Sequence, residues 1–415
     1  MTGLVIFYDH NNRNSFNALL GALETVSLKG NVKVYIIKTE DRLLNNIGAI
    51  VERHKKCIIA FSYFISQVQK IKECIRILRK RCAQKVIFIC GGPQATGEPH
   101  ISLEMGFDIV VRGEAEETFI NLLKNIVEQK GYEEVKGIIY SKKGQYLDTG
   151  RGKISSLDQF PPFAVAHRLF GPIEITRGCP FGCYFCQTPY IYGMKPRHRS
   201  IDSICQAVHQ IKSYGLRDIR FISPNAFSYG ADGKKINIMA LTNLLKEVRR
   251  ILGEKGRLFF GSFPSEVRPE YVNEQTVDLI KRYCDNDNII IGAQSGSQHI
   301  LDLCHRGHTV EDVYQAVRLT LKSGLKVNVD FIFGLPEEGE EEIFDSIKVM
   351  QDLIKLGARI HAHTFIPLPQ TPFSKSSGTV LSSDLFKFLK KGESDGTVFG
   401  DWQKQVGLRK VMVHS

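Results

Sequence analysis

The sequence lacks long hydrophobic runs, a secretory leader and a second group of clustered cysteines, and each absence excludes a class of protein. No apolar run approaches the roughly 20 residues that span a bilayer. The N-terminal MTGLVIFYDHN has neither a basic segment nor a cleavage site and is typical of a first strand. Ten cysteines spread over 415 residues argue against a disulfide framework. We therefore expect a cytoplasmic protein without a membrane span, whose thiols are metal ligands or packing groups.

The charge balance is basic, with 55 Lys and Arg against 44 Asp and Glu and a net charge of +11. Such a balance attracts nucleic acid, an anionic substrate or a phosphate-bearing cofactor. The basic groups RILRKR (76–81) and KEVRR (246–250) have helical periodicity, where a solvated helix face is the simpler interpretation. Signatures of RNA-binding modules are missing. A small molecule or cofactor precursor is therefore favoured over nucleic acid as the substrate.

The first third of the chain alternates short β-branched runs with amphipathic helical stretches, the pattern of βαβ units. The runs are apolar on both faces, which indicates strands covered by helices on both sides. Residues 1–148 are therefore predicted to form a doubly wound α/β domain with five parallel strands and a closing hairpin at 135–148. The five predicted strands are LVIFY, VKVYII, CIIAFS, KVIFIC and FDIVV.

Residues 149–171 lose this alternation and are rich in Gly, Ser and Pro, as in a linker. The alternation returns in residues 172–374, where six βα units in series predict an open, partial (βα)6 barrel. Residues 375–415 are too few for a further domain and are predicted to form a tail or cap. Trp402, the only tryptophan, is most simply a packing anchor there. The six strands are predicted at IEIT, IRFIS, LFFGS, IIIGAQ, VNVDFIF and IHAHTFI.

Three cysteines, Cys179, Cys183 and Cys186, follow the spacing C-x3-C-x2-C directly after the first barrel strand. Loops at this face hold the active sites of βα barrels. Structural zinc needs four ligands, so a zinc site would require a further residue such as His198. A cubane cluster held by three thiolates instead leaves one iron with an open coordination position. The spacing favours the cluster.

These residues resemble the signature of the radical S-adenosylmethionine (SAM) superfamily, CxxxCxΦC, in which Phe185 is the aromatic residue. The resemblance implies that Cys179, Cys183 and Cys186 hold a [4Fe–4S] cluster whose open iron binds the amine and carboxylate of SAM. It also implies reductive cleavage of SAM to a 5′-deoxyadenosyl radical. An electron donor such as flavodoxin or ferredoxin is then expected as a partner.

Later strand ends resemble the SAM pocket of the same superfamily. DFIFGLPE (330–337) is similar to its GxIxGxxE motif, with Asp330 in place of the first glycine. GAQSGSQHILDLCHRGHTVEDV (292–313) looks like the QSGS-to-Arg segment of methylthiotransferases and cobalamin-dependent members. The match implies that Arg306 holds the SAM carboxylate, a pairing that also suits a guanidinium fork. The implied SAM residues are Phe185, Ser223, Asn225, Ser262, Gln294, Ser295, Arg306, Ile332, Gly334 and Glu337.

The first domain carries small and polar residues where three of its strands end, the edge at which open α/β sheets bind ligands. No G-x-G-x-x-G follows the first strand, which argues against a dinucleotide. AFSYF (60–64), CGGPQATGEP (90–99) and VVRGEAEET (110–118) together resemble the cobalamin-binding domain found ahead of many radical SAM domains. The implied cobalamin residues are Ser62, Tyr63, Phe64, Gly91, Gly92, Gly113 and Glu114.

The lower face of the cobalt is expected to lack the usual histidine, because the DxHxxG motif of methyl-carrying cobalamin proteins is missing. Asp9 and His10 are adjacent and no glycine follows them. A residue between Tyr63 and Ile65 would cover this face. His10 as a displaced ligand is the alternative.

No catalytic acid or base can be assigned from the sequence, and the candidates are His361 and His363. They lie two apart on a predicted strand and so point to one side. Two histidines without a nearby carboxylate are more often packing or hydrogen-bonding residues.

The resemblance implies a cobalamin-dependent radical SAM enzyme, most simply a methyltransferase acting at unactivated carbon or at phosphorus. A tRNA methylthiotransferase, a radical cyclase or rearrangement enzyme and a non-catalytic cofactor carrier are the alternatives. Methylthiotransferases carry an N-terminal three-cysteine cluster and a C-terminal RNA-binding barrel, and neither pattern is found in this sequence.

Overall fold

The computed structural model describes residues 1–28, 31–82 and 85–413, with the backbone alone for residues 410–413. The chain divides into two compact units, Met1–Gly171 and Pro172–Ser415. None of the described helices is both long and apolar enough to cross a membrane.

A seven-stranded sheet forms the centre of the first unit. Its strands are β1 Thr2–Phe7, β2 Val32–Ile37, β3 Lys56–Ser62, β4 Val86–Gly91, β5 Ile109–Val111, β6 Ile138–Lys142 and β7 Gln145–Asp148. Their spatial order is β2-β1-β3-β4-β5-β6-β7. The first five strands in this order pair in parallel and the last two are antiparallel. The predicted parallel sheet with its closing hairpin is confirmed.

Both faces of this sheet are covered by helices, because neighbouring strand residues point to opposite sides. Leu4 and Ile6 of β1 point to one face, where they pack with the helix that precedes β2 and the helix that follows β5. Val5 and Phe7 point to the opposite face, where they pack with helices that lie between β2 and β5 in the sequence. The helices are α1 Arg13–Glu24, α2 Glu40–Glu52, α3 Val68–Cys82, α4 Gly92–Gly97, α5 Pro99–Glu104 and α6 Glu116–Val127. Since β2 and β3 lie on either side of β1, the strand order reverses between β1 and β3, where open sheets form a ligand crevice.

Residues 149–171 lie in the first unit and pack against α1. A Cβ atom on Gly21 would come within 2.6 Å of the carbonyl oxygen of Phe163, so only glycine permits this approach. The Glu24 carboxylate accepts hydrogen bonds from the backbone N–H groups of Ala166 (3.0 Å) and His167 (3.1 Å). The segment around residues 163–167 is thereby anchored to α1.

The described part of the second unit, residues 172–413, contains nine strands. They are β8 Ile173–Glu174, β9 Thr176–Arg177, β10 Arg197–His198, β11 Asp218–Ile222, β12 Arg257–Phe259, β13 Asn288–Gln294, β14 Lys326–Phe333, β15 Arg359–Thr364 and β16 Val398–Phe399. Parallel pairing gives the orders β12-β11-β8 and β13-β14-β15-β16, and a parallel bridge joins Val267, in the connection after β12, to Ile291 of β13. β9 and β10 form a short antiparallel pair. The strands thus follow one another as in the predicted open barrel.

Nine helices lie between or after these strands in the described part of the second unit. They are α7 Thr188–Tyr192, α8 Ile201–Ser213, α9 Ile238–Leu252, α10 Glu274–Tyr283, α11 Gln298–Leu303, α12 Val310–Lys322, α13 Glu340–Leu356, α14 Ser383–Ser394 and α15 Trp402–Val413. Several begin at a polar cap: Asn273 accepts from the Thr276 N–H and Thr309 from the Asp312 N–H. Single 3-10 turns lie at Ile65–Gln67, Leu157–Gln159, Ala226–Ser228, Pro269–Tyr271 and Pro372–Lys375.

The last forty residues do more than cap the barrel, because β16 adds an edge strand beside β15. Trp402 is fully buried, and its indole N–H donates to Glu393 at 2.8 Å. The Thr364 hydroxyl at the end of β15 donates to the carbonyl oxygen of Trp402. Trp402 is a packing anchor, as the sequence predicts.

Candidate functional site

The cysteine loop, residues 178–187, lies between β9 and α7. Its first turn is held by the Cys179 N–H, which donates to the carbonyl oxygen of Gly193 at 3.1 Å. Gly178 has a φ of 87°, and a Cβ atom there would lie 2.7 Å from the carbonyl oxygen of Lys195. The loop can therefore fold back on the 193–195 segment only with glycine at this position.

Two guanidinium groups approach the buried sulfur of Cys183. Nη1 of Arg306 lies 3.6 Å from this sulfur, and Nη1 of Arg268 lies 3.9 Å from it. The Arg268 guanidinium also lies over the Phe181 ring, 3.5 Å from its centroid. The sulfur of Cys183 therefore lies beside two positive charges. Arg268 carries no motif and was missed by sequence reasoning.

Burial dominates the titration of the other two thiols of the loop. It raises the pKa of Cys179, and it raises the pKa of Cys186 to about 11. A bound iron ion would reverse this preference, because a coordinating thiol is deprotonated outright. The three thiols are free, and the donor set fits an iron–sulfur cluster with three protein ligands.

His198 does not act as a fourth ligand in this structure. Its Nδ1 contacts the Thr176 hydroxyl at 3.0 Å and its Nε2 contacts the carbonyl oxygen of Ala231 at 2.9 Å. With both ring nitrogens occupied, the residue fixes the β9–β10 pair. The closed four-ligand zinc site finds no support here.

Three of the predicted SAM residues carry a buried polar atom that has no protein partner in the described part of the chain. These atoms are Nδ2 of Asn225, Oγ of Ser262 and Nε of Arg306. Unpaired buried donors are costly, and a ligand that accepts from them removes the cost. The residues therefore fit a bound polar ligand such as SAM.

Arg306 is held in place by its other groups. Its Nη2 donates to the carbonyl oxygen of Gly292 at 2.6 Å, and its own carbonyl oxygen accepts from Arg268. Burial alone would lower the pKa of Arg306, but the neighbouring Cys183 and Glu266 raise it. The side chain is thus a fixed buried cation.

Two predicted SAM residues, Ile332 of the GxIxGxxE-like motif and Phe185 of the cysteine loop, lie together. Ile332 and Phe185 both pack against the cluster formed by Ile300, Cys304, Leu335 and Phe365. The cysteine loop and the end of β14 therefore meet on one apolar surface.

The acidic end of this motif differs from the sequence interpretation. Glu337 is exposed and has a φ of 63°, whereas Glu338 is 1% exposed and accepts a hydrogen bond from the Gly334 N–H. Burial raises the pKa of Glu338 to about 7. The sequence interpretation chose Glu337 as the acidic residue of the motif and missed Glu338. The two adjacent glutamates in PEE were a signal that either one could take this position.

Of the neighbouring predicted SAM residues Gln294 and Ser295, only Gln294 has a side chain that contacts a charged group. Its Nε2 lies 3.4 Å from the Glu266 carboxylate. The Ser295 hydroxyl instead contacts Ser346 at 3.4 Å and accepts from the Ser297 N–H. Ser223 likewise donates to the carbonyl oxygen of Asn225 and shapes the turn after β11.

His361 and His363 lie side by side on β15, with ring centroids 4.1 Å apart. The expectation that no carboxylate lies near them is wrong, because Asp330 is the register partner of His361 on β14. The Asp330 carboxylate lies 2.9 Å from Nδ1 of His361. Glu266 contacts Asp330 in turn, and burial together with Asp330 raises the pKa of Glu266 to about 8.

In the first unit, the ends of β3 and β4 approach closely. Gly91 pairs with Ser62, and a Cβ atom on Gly92 would lie 2.7 Å from the Ser62 hydroxyl. Gly92 has a φ of 90°. The Ser62 hydroxyl is buried without a protein partner in the described chain. Asn12 donates to the carbonyl oxygens of Phe7 and Ser62 and so ties β1 to β3.

The side chains that follow Ser62 diverge. Tyr63 is fully buried, donates toward or accepts from Ser102 at 2.8 Å, and stacks on Phe107. Phe64 is 38% exposed. Of the residues expected to cover cobalt, Phe64 therefore has a side chain accessible to a ligand and Tyr63 belongs to the core.

The third strand end adds backbone to this edge. The Gly113 N–H donates to the Thr96 hydroxyl at 3.0 Å, and nothing lies within 4 Å of a Cβ atom placed on Gly113. Glu114 is half-buried and His10 is exposed. A crevice lined by small residues and unpaired polar atoms fits a large ligand that rests on the backbone.

Comparison with known proteins assigns both units. Residues 173–350 match the Radical SAM superfamily, and residues 19–123 match the B12 binding domain. The first match contains the cysteine loop and the β14 motif, and the second contains the ends of β3 and β4.

Curated relatives are distant. An uncharacterised methyltransferase of Pyrococcus horikoshii is 25% identical over 78% of this chain and 70% of its own length. A tRNA-2-methylthio-N(6)-dimethylallyladenosine synthase of Pelobacter propionicus is 28% identical over 57% of this chain. The chain spans only 50% of the length of that enzyme.

Among solved structures, the radical SAM methyltransferase TsrM of Kitasatospora setae, with tryptophan substrate and a SAM analogue bound, superposes with a TM-score of 0.70. It is 17% identical and the match covers 91% of this chain and 75% of TsrM, so it shows the fold. The cofactors of the protein are a [4Fe–4S] cluster, SAM and cobalamin. Residues 173–350 form a radical SAM domain, and a B12 binding domain at residues 19–123 precedes it.

Proposed function

We propose that the protein is a cobalamin-dependent radical SAM methyltransferase that acts on an unactivated carbon of a small molecule. The observation that carries this proposal is the cysteine loop beside Arg306, a buried cation whose Nε has no partner in the described chain. When bound, the cluster supplies the electron that cleaves SAM to a 5′-deoxyadenosyl radical, and cobalamin supplies the methyl group.

The residues of the chain divide this work. Cys179, Cys183 and Cys186 hold the cluster, and Arg306 binds the SAM carboxylate through its free Nε. Asn225 offers its unpaired amide to SAM. Phe185 and Ile332 provide the apolar surface for adenine. Flavodoxin or ferredoxin would deliver the electron.

The first experiment removes one thiol from anaerobically reconstituted protein. Cys183→Ala should reduce 5′-deoxyadenosine formation to background, measured by mass spectrometry after incubation with SAM and a reductant. Cys205→Ala is the matched control, because Cys205 lies on α8 outside the loop. Retained 5′-deoxyadenosine in Cys183→Ala would overturn the assignment of the cluster.

A second experiment tests methyl transfer itself with trideuteromethyl SAM and cell extract. A product that gains the labelled methyl group supports the methyltransferase. A labelled product that also gains sulfur and derives from tRNA would support the alternative suggested by the Pelobacter relative, methylthiotransfer. A product that gains no label would indicate a cyclase or rearrangement enzyme.

The methylthiotransferase is the weaker candidate because of the first unit. All four cysteines of the described part of the first unit are buried in one apolar cluster; they are Cys57, Cys74, Cys82 and Cys90. Residues 19–123 match a B12 binding domain. These features favour cobalamin over a second cluster as the cofactor of this unit.

A further inference from the structure

Three side chains on the barrel wall converge without belonging to the cysteine loop. Asp330 lies on β14, and His361 and His363 lie on β15. The strands pair with Asp330 opposite His361 and Ile332 opposite His363, so all four side chains share one face. One ligand atom from each of the two histidines and the aspartate lies within 4.8 Å of the other two. We call these three residues the Asp–His–His cluster.

Hydrogen bonds alone cannot satisfy all three members of this cluster. Nδ1 of His361 lies 2.9 Å from the Asp330 carboxylate and 3.2 Å from Nε2 of His363. A ring nitrogen carries either one proton or one lone pair, directed in the plane of the ring. Nδ1 of His361 can therefore form a well-aligned hydrogen bond with either Asp330 or His363, and its contact with the other residue is poorly aligned.

A divalent metal ion resolves this competition, because every member then contributes one lone pair. Zinc and iron bind imidazole nitrogen and carboxylate oxygen at about 2.0–2.2 Å, so two ligands lie about 3 Å apart at the right angle of an octahedral site and about 3.4 Å apart in a tetrahedral site. The two observed separations, 2.9 and 3.2 Å, match this spacing. Two histidines and one carboxylate are an established donor set for zinc and ferrous iron.

The His361 ring and the Asp330 carboxylate are also held in place by neighbouring groups. The His361 ring stacks on Phe399 with centroids 4.6 Å apart and an interplanar angle of 9°. Gly400, the residue after Phe399, lies so close to the same ring that a Cβ atom on it would come within 3.0 Å. Glu266 contacts Asp330 from the β12–β13 connection. Outer contacts of this kind fix the orientation of ligands and raise metal affinity.

We propose that Asp330, His361 and His363 form a binding site for a divalent first-row transition ion, with zinc as the probe of choice. Three protein ligands leave coordination positions open, so the ion can bind an oxygen or nitrogen atom of the substrate. The substrate class is then one with a carboxylate, hydroxyl or amine near the reacting carbon. The proposal does not depend on methyl transfer, since the site is assigned from its own geometry.

Metal content tests this proposal directly. The full-length protein, anaerobically reconstituted with iron, sulfide and cobalamin, is equilibrated with a zinc buffer and analysed by elemental mass spectrometry. We expect about one zinc ion per chain in addition to the iron of the cluster. Asp330→Asn and His363→Ala should each weaken zinc binding by about tenfold or more, while the iron content stays unchanged.

Two further variants separate ligand loss from misfolding. His363→Cys replaces one zinc ligand by another and should retain zinc, which a merely structural role would not predict. His299→Ala removes an exposed histidine at the start of α11 and is the matched control. Unaltered zinc binding in Asp330→Asn and His363→Ala, or no zinc in the wild type, overturns the proposal.

The coordination sphere gives an independent readout that needs no variant. X-ray absorption at the zinc edge should show nitrogen and oxygen ligands with two imidazoles. A sphere of sulfur would mean that zinc had entered the cysteine loop, and the proposal would be wrong. If the wild-type protein retains no zinc, the three residues are joined by hydrogen bonds alone, and the proposal is wrong.

Discussion

The two units bury polar groups of different kinds. In the described part of the first unit every buried polar side chain is neutral, and examples are Asn12, Ser62 and Gln94. The second unit buries charged groups, among them Arg268, Arg306 and Glu338. Burying a charge is expensive unless a partner of opposite sign is present. The contrast therefore indicates what each unit binds.

A neutral crevice suits cobalamin, a large ligand that is held by shape and backbone contacts, and small residues at the ends of β3 and β4 make room for it. A buried network of cations and carboxylates suits SAM and an anionic cluster. SAM carries a carboxylate, an amine and a sulfonium, which are groups that buried charges can bind. A variant that removes a buried charge of the second unit should weaken SAM binding and leave cobalamin binding unchanged. A variant that fills the crevice of the first unit should do the opposite.

The largest effect is expected from Arg306→Met, which removes the buried cation beside Cys183. Loss of a charge-assisted contact to the SAM carboxylate should weaken SAM binding by about 100-fold, measured by equilibrium binding to the reconstituted protein. Cobalamin content should not change. Arg250→Met on the exposed face of α9 is the control. Equal SAM affinity in both variants would contradict the role of Arg306.

The reciprocal change is Gly92→Ala in the first unit. The alanine would need a φ of 90° and would bring Cβ within 2.7 Å of the Ser62 hydroxyl. We expect cobalamin retention through gel filtration to fall by about tenfold, while SAM cleavage persists. Gly144→Ala has a comparable φ of 78° but open space around Cβ. If both variants lose cobalamin equally, backbone strain and not the crevice explains the loss.

Glu338→Gln should change the pH dependence of stability. The folded protein holds the pKa of Glu338 at about 7, above its usual value of 4.5, chiefly through burial. The protonated form is thus favoured by folding, and its stabilisation is full below about pH 4.5 and is lost as the pH rises through 7. Between these values, the unfolding free energy of the wild type should fall by about 2–3 kcal/mol more than that of the variant.

Denaturant unfolding of both proteins at pH 5 and pH 7.5 gives the measurement. Glu337→Gln is the control, because Glu337 is exposed next to the same residue. Parallel pH profiles for wild type and Glu338→Gln would show that the buried carboxyl does not titrate in this range.

Periodicity and spacing were enough to predict the parallel sheet, the open barrel and the cysteine loop, because these depend on local patterns. The buried charges were harder. Arg268 and Glu266 lie in the irregular connection between β12 and β13, where no period or motif marks them. Their importance arises from contacts with Cys183 and Asp330, which are distant in sequence.

Adjacent residues could not be separated from sequence for a related reason. The positive φ at Glu337 turns that side chain outward and directs Glu338 inward. At the end of β3, Tyr63 enters the core and Phe64 does not. Both pairs lie just after a strand ends, where the regular alternation of the strand no longer predicts which side chain is buried.

The smallest effects are expected from the pair Phe64→Ala and Tyr63→Phe, which tests whether the crevice of the first unit is as neutral and shape-dependent as its buried groups indicate. Phe64→Ala removes an accessible ring and should weaken cobalamin binding about threefold, with little change in unfolding free energy. Tyr63→Phe removes the buried hydroxyl that contacts Ser102 and should lower stability by about 1 kcal/mol, with little change in cobalamin binding. Cobalamin retention and denaturant unfolding, measured on both variants, separate the two residues. Were Tyr63→Phe the variant that lost cobalamin, the lower face would be covered by a core residue, and the assignment of Phe64 would be wrong.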